Sequence, residues 1–227
     1  MRALTIFILS LFSMPLMLNA QSVDEMLQKV SAAIEAGQYG QAVSYFRQAI
    51  PLNFDRAEMY YWTDVDKNSE VSAKLATELA IAFKKNRNYD KAYLFYKELL
   101  QKSPNDVDMM EAVAEMEVCR GQEKDALRMY EKILQLEADN LAANIFLGNY
   151  YYLMAEQEKK QLEIDYKKIS SPTKMQHARY RDGLSKLFSS GYEKARKSLQ
   201  KVILRFPSTE AQKTLDKILR IEKEVKR

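Results

Sequence analysis

Apolar residues recur along this chain at intervals of three and four, the spacing that places side chains on one face of an α-helix. Between residues 86 and 106 this face carries Ala92, Tyr96 and Leu99, and an equivalent face returns 34 residues later, between residues 126 and 133. Only 6 Gly and 5 Pro occur among 227 residues, so helix-breaking residues are few. The pattern therefore predicts an all-α protein made of repeated helical pairs.

Small residues occupy matched places in the two helices of each pair. In the units 73–106 and 107–140, alanine stands at the eighth and twentieth positions, an aromatic residue at the twenty-fourth and an aliphatic residue at the twenty-seventh. Alanine lets two antiparallel helices approach to the short end of the usual interaxial distance, roughly 8 Å. Since a single pair cannot bury both of its faces, the units are expected to stack on one another.

This spacing resembles the consensus of the tetratricopeptide repeat (TPR) family. Further matching residues are Gly37, Tyr39, Ala42, Phe46 and Ala49 in residues 23–56, Leu147, Gly148 and Tyr151 in the fourth unit, and Tyr192, Ala195, Val202 and Pro207 near the end. The resemblance implies a right-handed α-α superhelix, a TPR-like solenoid of about five helical hairpins. It divides the chain into a first unit at 21–56, an array at 73–207 and a C-terminal capping helix at 208–227. The capping helix is expected to bury the stripe Leu215, Ile218, Leu219 and Val225.

An aromatic insertion at 57–72 separates the first unit from the array. It reads as a loop and contains Tyr60, Tyr61 and Trp62, the only tryptophan of the chain. Two interpretations remain for these rings: a hydrophobic plug over the joint between the first two units, or an exposed aromatic contact for a partner.

The fourth unit is degenerate because it lacks the turn glycine of the repeat. Lys160 stands where the family has alanine, and no residue before Ser170-Ser171-Pro172 breaks a helix. One long helix over 141–169 is therefore favoured over a normal hairpin.

Residues 1–20 have the features of a secretory signal peptide. Arg2 precedes an uncharged apolar run, and Ala20 supplies the small residue of a cleavage site. The alternative, a membrane anchor, is disfavoured because polar residues and a proline interrupt the run, which is shorter than the roughly 20 residues that a spanning helix needs. We expect cleavage near Ala20 and an exported chain, periplasmic or secreted, with no transmembrane span in its mature part.

Residues suited to catalysis or metal binding are scarce. His177 is the only histidine and Cys119 the only cysteine. This argues against His-based metal clusters, cysteine-rich zinc sites and disulfide bridges within the chain, and no glycine-rich phosphate loop is present. We therefore expect no enzyme, no cofactor and no metal site, with Cys119 acting as a small buried hydrophobic residue.

In the TPR family the first helix of each unit lines a concave groove with its second, fifth, ninth and twelfth positions. On this resemblance the candidate partner-binding residues are Lys74, Lys84, Asp108, Glu111, Glu115, Asn149, Tyr152 and Tyr180. They do not reproduce the Lys and Asn set with which some family members clamp a carboxyl-terminal peptide, and the three acidic residues equally fit an ordinary solvated helix face. The resemblance implies another protein or a peptide as the partner.

Charge is distributed unevenly along the chain. Residues 157–227 contain 19 Lys and Arg against 9 Asp and Glu, net +10, whereas residues 1–156 have a net charge of −6. The basic C-terminal part fits either peripheral association with an anionic envelope surface or an ordinary solvated face. Nucleic acid is disfavoured as a partner because the chain carries an export signal.

Together these features predict an exported TPR scaffold or adaptor that mediates protein–protein interaction in the cell envelope. The alternative is a receptor that binds a peptide or a glycan through its concave aromatic groove, with Trp62 as an additional contact.

The predicted signal peptide can be tested by the mass of the exported protein. Expression of the full chain in a bacterial host should yield a periplasmic or secreted product that begins at Gln21, because a signal peptidase cleaves after the small residue Ala20. Intact-mass spectrometry and N-terminal sequencing of that fraction check the cleavage. Full-length protein retained in the cytoplasm would contradict the prediction.

Overall fold

The computed structural model describes residues 22–226. Every regular element in this part of the chain is helical and none is a strand, which confirms the predicted all-α class. The predicted signal peptide, residues 1–20, lies outside the described residues. Contacts group the chain into two compact units, with the boundary between Ala82 and Phe83.

The helices have the following bounds. They are α1 (Val23–Glu35), α2 (Tyr39–Leu52), α3 (Phe54–Thr63), α4 (Glu70–Lys85), α5 (Tyr89–Lys102), α6 (Val107–Cys119), α7 (Glu123–Leu136), α8 (Leu141–Lys167), α9 (Lys174–Leu187), a π-helical turn (Phe188–Tyr192), α10 (Glu193–Arg205) and α11 (Thr209–Val225). Among residues 22–226, no helix is long and apolar enough to cross a membrane.

The first three helical pairs of the repeat turn in the same way. At the fifteenth position of each unit, a residue with positive φ follows the first helix: Gly37 at 69°, Arg87 at 59° and Gly121 at 74°. The next amide donates to a carbonyl five residues back, as from Gln38 to Ala33 at 2.8 Å. This is the Schellman arrangement, which satisfies the last carbonyls of a helix. Glycine adopts its positive φ without steric cost, whereas Arg87 does not.

The alanines that define the repeat are buried, as close helix packing requires. Ala42, Ala92, Ala126 and Ala195 are fully inaccessible to solvent. The residues four positions later are buried too, namely Phe46, Tyr96, Tyr130 and Leu199. Small and large side chains therefore alternate along the second helix of each unit as the sequence pattern predicts.

The helix α3, residues 54–63, extends into the aromatic insertion, so the interpretation of 57–72 as a loop is wrong for residues 57–63. The side chain of Asn53 caps α3 by accepting a hydrogen bond from the amide three residues later at 2.9 Å. Ala57, Tyr60 and Tyr61 are buried and follow the three- and four-residue spacing of one helix face. This face packs α3 onto the hairpin of α1 and α2.

α8 is a single helix of 27 residues, from Leu141 to Lys167. The sequence favours one long helix here too, with an expected range of 141–169. The fifteenth position of this unit is Ala155, a residue that disfavours the positive φ at which the other units turn. The helix therefore continues past the place where a regular hairpin would reverse.

No turn separates α9 from α10, so the expected fifth hairpin is wrong. The π-helical turn at 188–192 joins them, and both Leu187 and Glu193 keep right-handed helical backbone angles. The chain is consequently helical from Lys174 to Arg205. The residues that the sequence assigns to the fourth and fifth repeat units form one elongated hairpin. In this hairpin α10 packs against the N-terminal half of α8.

Two glycines allow the close approach within this elongated hairpin. A Cβ added at Gly148 in α8 would lie 2.7 Å from the Leu199 side chain, and one added at Gly191 would lie 2.7 Å from the Cβ of Ala155. Both distances are shorter than the contacts that real Cβ atoms make. The helices can therefore pack this closely only because glycine has no side chain at these two positions.

Beyond this contact, the rest of α8 pairs with α9 and forms an element that we call the arm, residues 157–186. No residue in this range is buried. Tyr166 stacks on Tyr180 with ring centroids 4.3 Å apart, and a Cβ added at Gly183 would lie 3.1 Å from Leu162. The arm is thus held by surface contacts between two helices and has no core of its own.

The terminal helix α11 covers the end of α10. Its buried residues Ala211, Leu215, Ile218 and Ile221 belong to one apolar cluster with Leu199 and Val202. Leu219 is 43% exposed, so its assignment to the buried stripe is wrong and Ile221 takes that role. The cause is helical spacing, since Leu219 is only one residue from Ile218 and faces another direction.

Replacing Gly191 with alanine is expected to destabilise the protein by about 1–3 kcal/mol. The new Cβ would meet that of Ala155, which cannot rotate away, so the backbones of α8 and the π-helical turn must separate. Chemical denaturation followed by circular dichroism measures the effect.

Gly40→Ala is the matched control. No atom lies within 4 Å of its added Cβ, and it sits in α2 without a positive φ. Its stability should stay equal or rise by up to about 1 kcal/mol, because alanine favours a helix over glycine. Equal denaturation midpoints for Gly191→Ala and the unchanged protein would show that the close approach is unimportant.

Candidate functional site

A groove opens in the second compact unit between α6, α7 and the N-terminal half of α8. Its volume is about 590 Å³, which is in the range of natural ligand sites. α6 and α7 contribute Glu115, Val118, Cys119, Glu123 and Tyr130, and the remaining lining residues come from α8 between Ala142 and Gln157.

The groove exposes apolar side chains that a solvated helix face would not carry. Val118, Ile145 and Met154 are 36–40% exposed, and Leu153 is 64% exposed. Ile145 and Leu153 lie eight residues apart, on the same side of α8. A contiguous apolar surface of this kind on a folded protein is typical of a binding site.

Aromatic rings form a stack along one wall of the groove. Tyr130 lies 4.5 Å from Phe146 between ring centroids, and Phe146 lies 5.7 Å from Tyr150, with interplanar angles of 28° and 22°. Phe146 and Tyr150 follow each other by four residues on α8, so helix geometry brings their rings together. The stack offers flat apolar surface to an occupant.

Tyr130 anchors this stack from within the core. It is only 6% exposed, and burial, followed by the nearby charges of Glu115 and Glu111, raises the pKa of its phenol to about 12. The ring therefore stays neutral throughout the physiological range and acts as a fixed apolar support for Phe146.

Polar groups at the rim are partly engaged with one another. Lys84 donates a hydrogen bond to Glu115 at 2.5 Å, and Asn140 donates to Glu111. Tyr151, on the far side of α8, donates to Glu131 at 2.6 Å. These carboxylates thus already accept hydrogen bonds from neighbouring side chains, which weakens their attraction for a cation.

No protein-family model and no curated protein matches this chain. A solved structure from Bacteroides ovatus ATCC 8483, provisionally described as a protein-binding protein, is 88% identical. The match covers 90% of this chain and 100% of that one, with a TM-score of 0.86.

Two solved structures of TPR proteins are more distant relatives. One from Parabacteroides merdae is 17% identical over 89% of this chain and 74% of its own, with a TM-score of 0.41. One from Bacteroides fragilis is 12% identical over 88% and 99%, with a TM-score of 0.39. The repeated helical hairpins of this chain are consistent with a tetratricopeptide repeat protein. The 34-residue register and the buried alanines are the features that it shares with this repeat.

Three of the sequence-predicted TPR groove residues lie at this site. Glu115 and Asn149 line the groove, and Lys84 reaches it through its ion pair with Glu115. Glu111 lies one turn before Glu115 on α6 and is bound by Asn140. Asp108 is exposed in the first turn of α6 and is not a lining residue.

The other three predicted groove residues lie elsewhere. Tyr152 packs edge-on against Tyr192 with centroids 6.1 Å apart, on the side of α8 that meets the π-helical turn. Tyr180 belongs to the arm, because the fifth hairpin does not form. Lys74 lies in the first compact unit and pairs with Glu70 at 2.9 Å.

The aromatic insertion divides its three rings between two roles. Tyr60 is 5% exposed and Tyr61 fully buried, so their assignment as exposed partner contacts is wrong, and both belong to the helix face that packs on α1 and α2. The Tyr60 hydroxyl lies 2.9 Å from that of Ser31 in α1. Trp62 is 50% exposed, because the next position along α3 points away from the core.

Sequence reasoning missed most of the residues that give the TPR groove its apolar character. Phe146, Tyr150, Leu153 and Met154 occupy the sixth, tenth, thirteenth and fourteenth positions of their unit, outside the expected set. Cys119 is exposed and lines the groove, so its assignment as a buried residue is wrong. The run of aromatic and aliphatic residues from 145 to 154, interrupted only by Gly148 and Asn149, was the available signal.

The raised phenol pKa of Tyr130 gives a testable pH dependence. Its pKa is 10.0 unfolded and about 12 folded, so its contribution to stability is complete below pH 10 and is lost as the pH rises through about 12. Tyr130→Phe should therefore lose less stability over this interval than the unchanged protein, by at most about 2 kcal/mol. Urea denaturation at a series of alkaline pH values measures the difference.

Tyr89→Phe is a control, since Tyr89 lies at the start of α5, away from the groove. It shows the effect of removing a phenolic hydroxyl outside the groove. If Tyr130→Phe keeps the alkaline stability profile of the unchanged protein, the phenol is not buried as described.

Proposed function

We propose that this TPR protein is an exported scaffold or adaptor that binds a segment of another protein in the groove between α6, α7 and α8. The observation that carries the proposal is the exposure of Ile145, Leu153 and Met154 beside the aromatic stack. Covering these side chains would remove apolar surface from water, which is the main driving force of protein association.

The dimensions of the groove suit a peptide segment. Its wall on α8 extends from Ala142 to Gln157, which corresponds to about 22 Å at 1.5 Å per residue. About four turns of a helix, or roughly seven residues of extended chain, span that length. The occupant therefore presents one apolar stripe to the groove, as amphipathic segments do.

Polar side chains at the edges can orient this segment. Asn149 and Glu123 are exposed lining residues with no hydrogen bond or ion pair in the described part of the chain. An amide can pair with a peptide backbone and a carboxylate with a basic side chain. The polar groups thus fix the position of the bound segment along the groove, while the apolar lining residues provide most of the binding free energy.

A receptor for a glycan or a free peptide is the second candidate, and the aromatic stack favours it. Phe146 and Tyr150 present partly exposed, nearly parallel rings next to Asn149. Flat rings and a neighbouring amide suit the apolar face and the hydroxyls of a sugar. The groove is more apolar than polar along α8, and we therefore place this candidate second.

The location of this function in the cell envelope rests on the signal-peptide features of residues 1–20. An exported adaptor with no catalytic machinery would act by holding envelope proteins together. Peripheral association of the basic residues 157–227 with the envelope fits the same role.

The lone cysteine makes the groove directly testable. Cys119 lines it and is exposed, so a thiol-directed photo-crosslinker attached there should capture the bound segment from envelope extracts as one defined protein. Leu153→Asp should abolish the product, because a charge on the apolar wall opposes burial. Mass spectrometry of the crosslinked peptide identifies the partner and the segment.

The control places the same crosslinker outside the groove, in Cys119→Ser/Leu204→Cys. Leu204 is 86% exposed and lies on α10. Equal products from both positions would contradict a specific groove. If oligosaccharides, and no protein, protect Cys119 from alkylation, the glycan receptor is the function instead.

A further inference from the structure

The end of the arm carries an unbalanced set of basic residues. We define the arm tip as residues 166–181, the last part of α8, the connecting loop and the first half of α9. This range contains five Lys and Arg and no Asp or Glu. It also lies beyond the groove, at the opposite end of α8 from Ile145.

Four of these basic groups have no ion pair within residues 22–226. They are Lys167, Lys174, Arg179 and Arg181, and all four are exposed. Lys168 is the exception, with Asp165 at 2.8 Å. Three basic residues of the neighbouring helix α10 have acidic partners, for example Arg196 with Glu222 at 2.9 Å. The arm tip is therefore a concentration of uncompensated positive charge.

The start of α9 adds to this charge. Thr173 and Gln176 form a capping box there, yet the first turn contains no acidic residue and begins with Lys174. A helix N-terminus carries partial positive charge and is normally stabilised by acidic residues. The charge of Lys174 is repelled by this partial positive charge, and both attract an external anion.

An apolar side chain accompanies the charges. Met175 is 64% exposed and follows Lys174 directly in the first turn of α9. Ile169, in the connecting loop, is partly exposed. Basic and apolar groups thus share the end of the arm, a combination found on protein elements that enter the headgroup region of a bilayer.

We propose that the arm tip binds an anionic lipid surface. Each basic residue held near such a surface is attracted by its negative potential, and Met175 can insert among the acyl chains. This proposal assigns the envelope association of the basic residues 157–227 to the arm tip and to anionic lipid, and it rests on that part of the proposed function. It does not depend on the groove, since the groove lies on the N-terminal half of α8. One chain can then hold a protein segment in the groove while the arm contacts a membrane.

The shape of the arm favours a lipid surface over an acidic protein. A stable protein interface buries about 800 Å² on each partner, whereas the tip is only the end of two helices and a short loop. No residue of the arm is buried, so no core holds the basic side chains in one fixed pattern. A lipid surface does not require such a pattern, because its charge is mobile and spread over a plane.

The proposal is tested by flotation of the full chain with vesicles. One set contains equal parts of phosphatidylglycerol and phosphatidylcholine, and the other contains phosphatidylcholine alone. The unchanged protein should bind the anionic vesicles, and higher salt should weaken binding. The combined variant Lys167→Gln, Lys174→Gln, Arg179→Gln and Arg181→Gln should bind at least about a hundredfold more weakly.

The matched control removes the same charge from α11, as Lys213→Gln, Lys217→Gln, Arg220→Gln and Lys223→Gln. These residues are exposed and without an ion pair in the described chain, so folding should be unaffected, as circular dichroism can verify for both variants. The control should bind within about threefold of the unchanged protein. A loss equal to that of the arm-tip variant would overturn the arm tip as the binding element.

Two further readouts separate lipid from acidic protein. Met175→Trp should show a blue-shifted emission with anionic vesicles, beyond any change of Trp62, because the indole enters an apolar layer. Binding to soluble polyglutamate without binding to vesicles would overturn the lipid proposal. Equal binding to anionic and neutral vesicles would overturn it as well. Crosslinking from Cys119 in the arm-tip variant should persist, which distinguishes failure of the arm from failure of the groove.

Discussion

Close approach of paired helices is the constraint on which the structure depends. Two helices reach the short end of the usual interaxial distance only where the side chains between them are small. The chain meets this condition with alanine at the repeat positions, as at Ala126 and Ala195. In the elongated hairpin Gly148 and Gly191 also meet it. The large neighbours of these residues then fill the space between adjacent pairs. Binding surfaces are built from what remains, the side chains that the packing leaves exposed.

The length of α8 places two such surfaces on one helix. Its N-terminal half packs against α10 and also forms the apolar wall of the groove, while its C-terminal half continues into the arm. The difference is local: Ala155 stands where the other units turn at a positive φ, and here no turn forms. A change in one turn therefore converts a repeat unit into a scaffold with an added element.

Only some of the groove residues could be predicted from the positions that line the groove in the TPR family. Two of the predicted residues, Glu115 and Asn149, line the groove, because α6 and the first half of α8 follow the repeat. The family positions misplaced Tyr152 and Tyr180, because the helix that carries Tyr152 has a π-helical turn as its neighbour and the hairpin expected around Tyr180 does not form. They also omitted Phe146, since a partly buried ring in a stack has the same sequence appearance as a core residue.

The amino-acid sequence by itself determined the all-α class, the 34-residue period, the small residues at helix contacts and the uneven charge, because each depends on residue type and on spacing along one helix. Only the tertiary structure decided which helices pair across a long interval, as α8 does with α10, and which rings are covered, as Tyr61 is and Trp62 is not. Pairing is decided by contacts between residues distant in sequence, and helical periodicity contains no information about them.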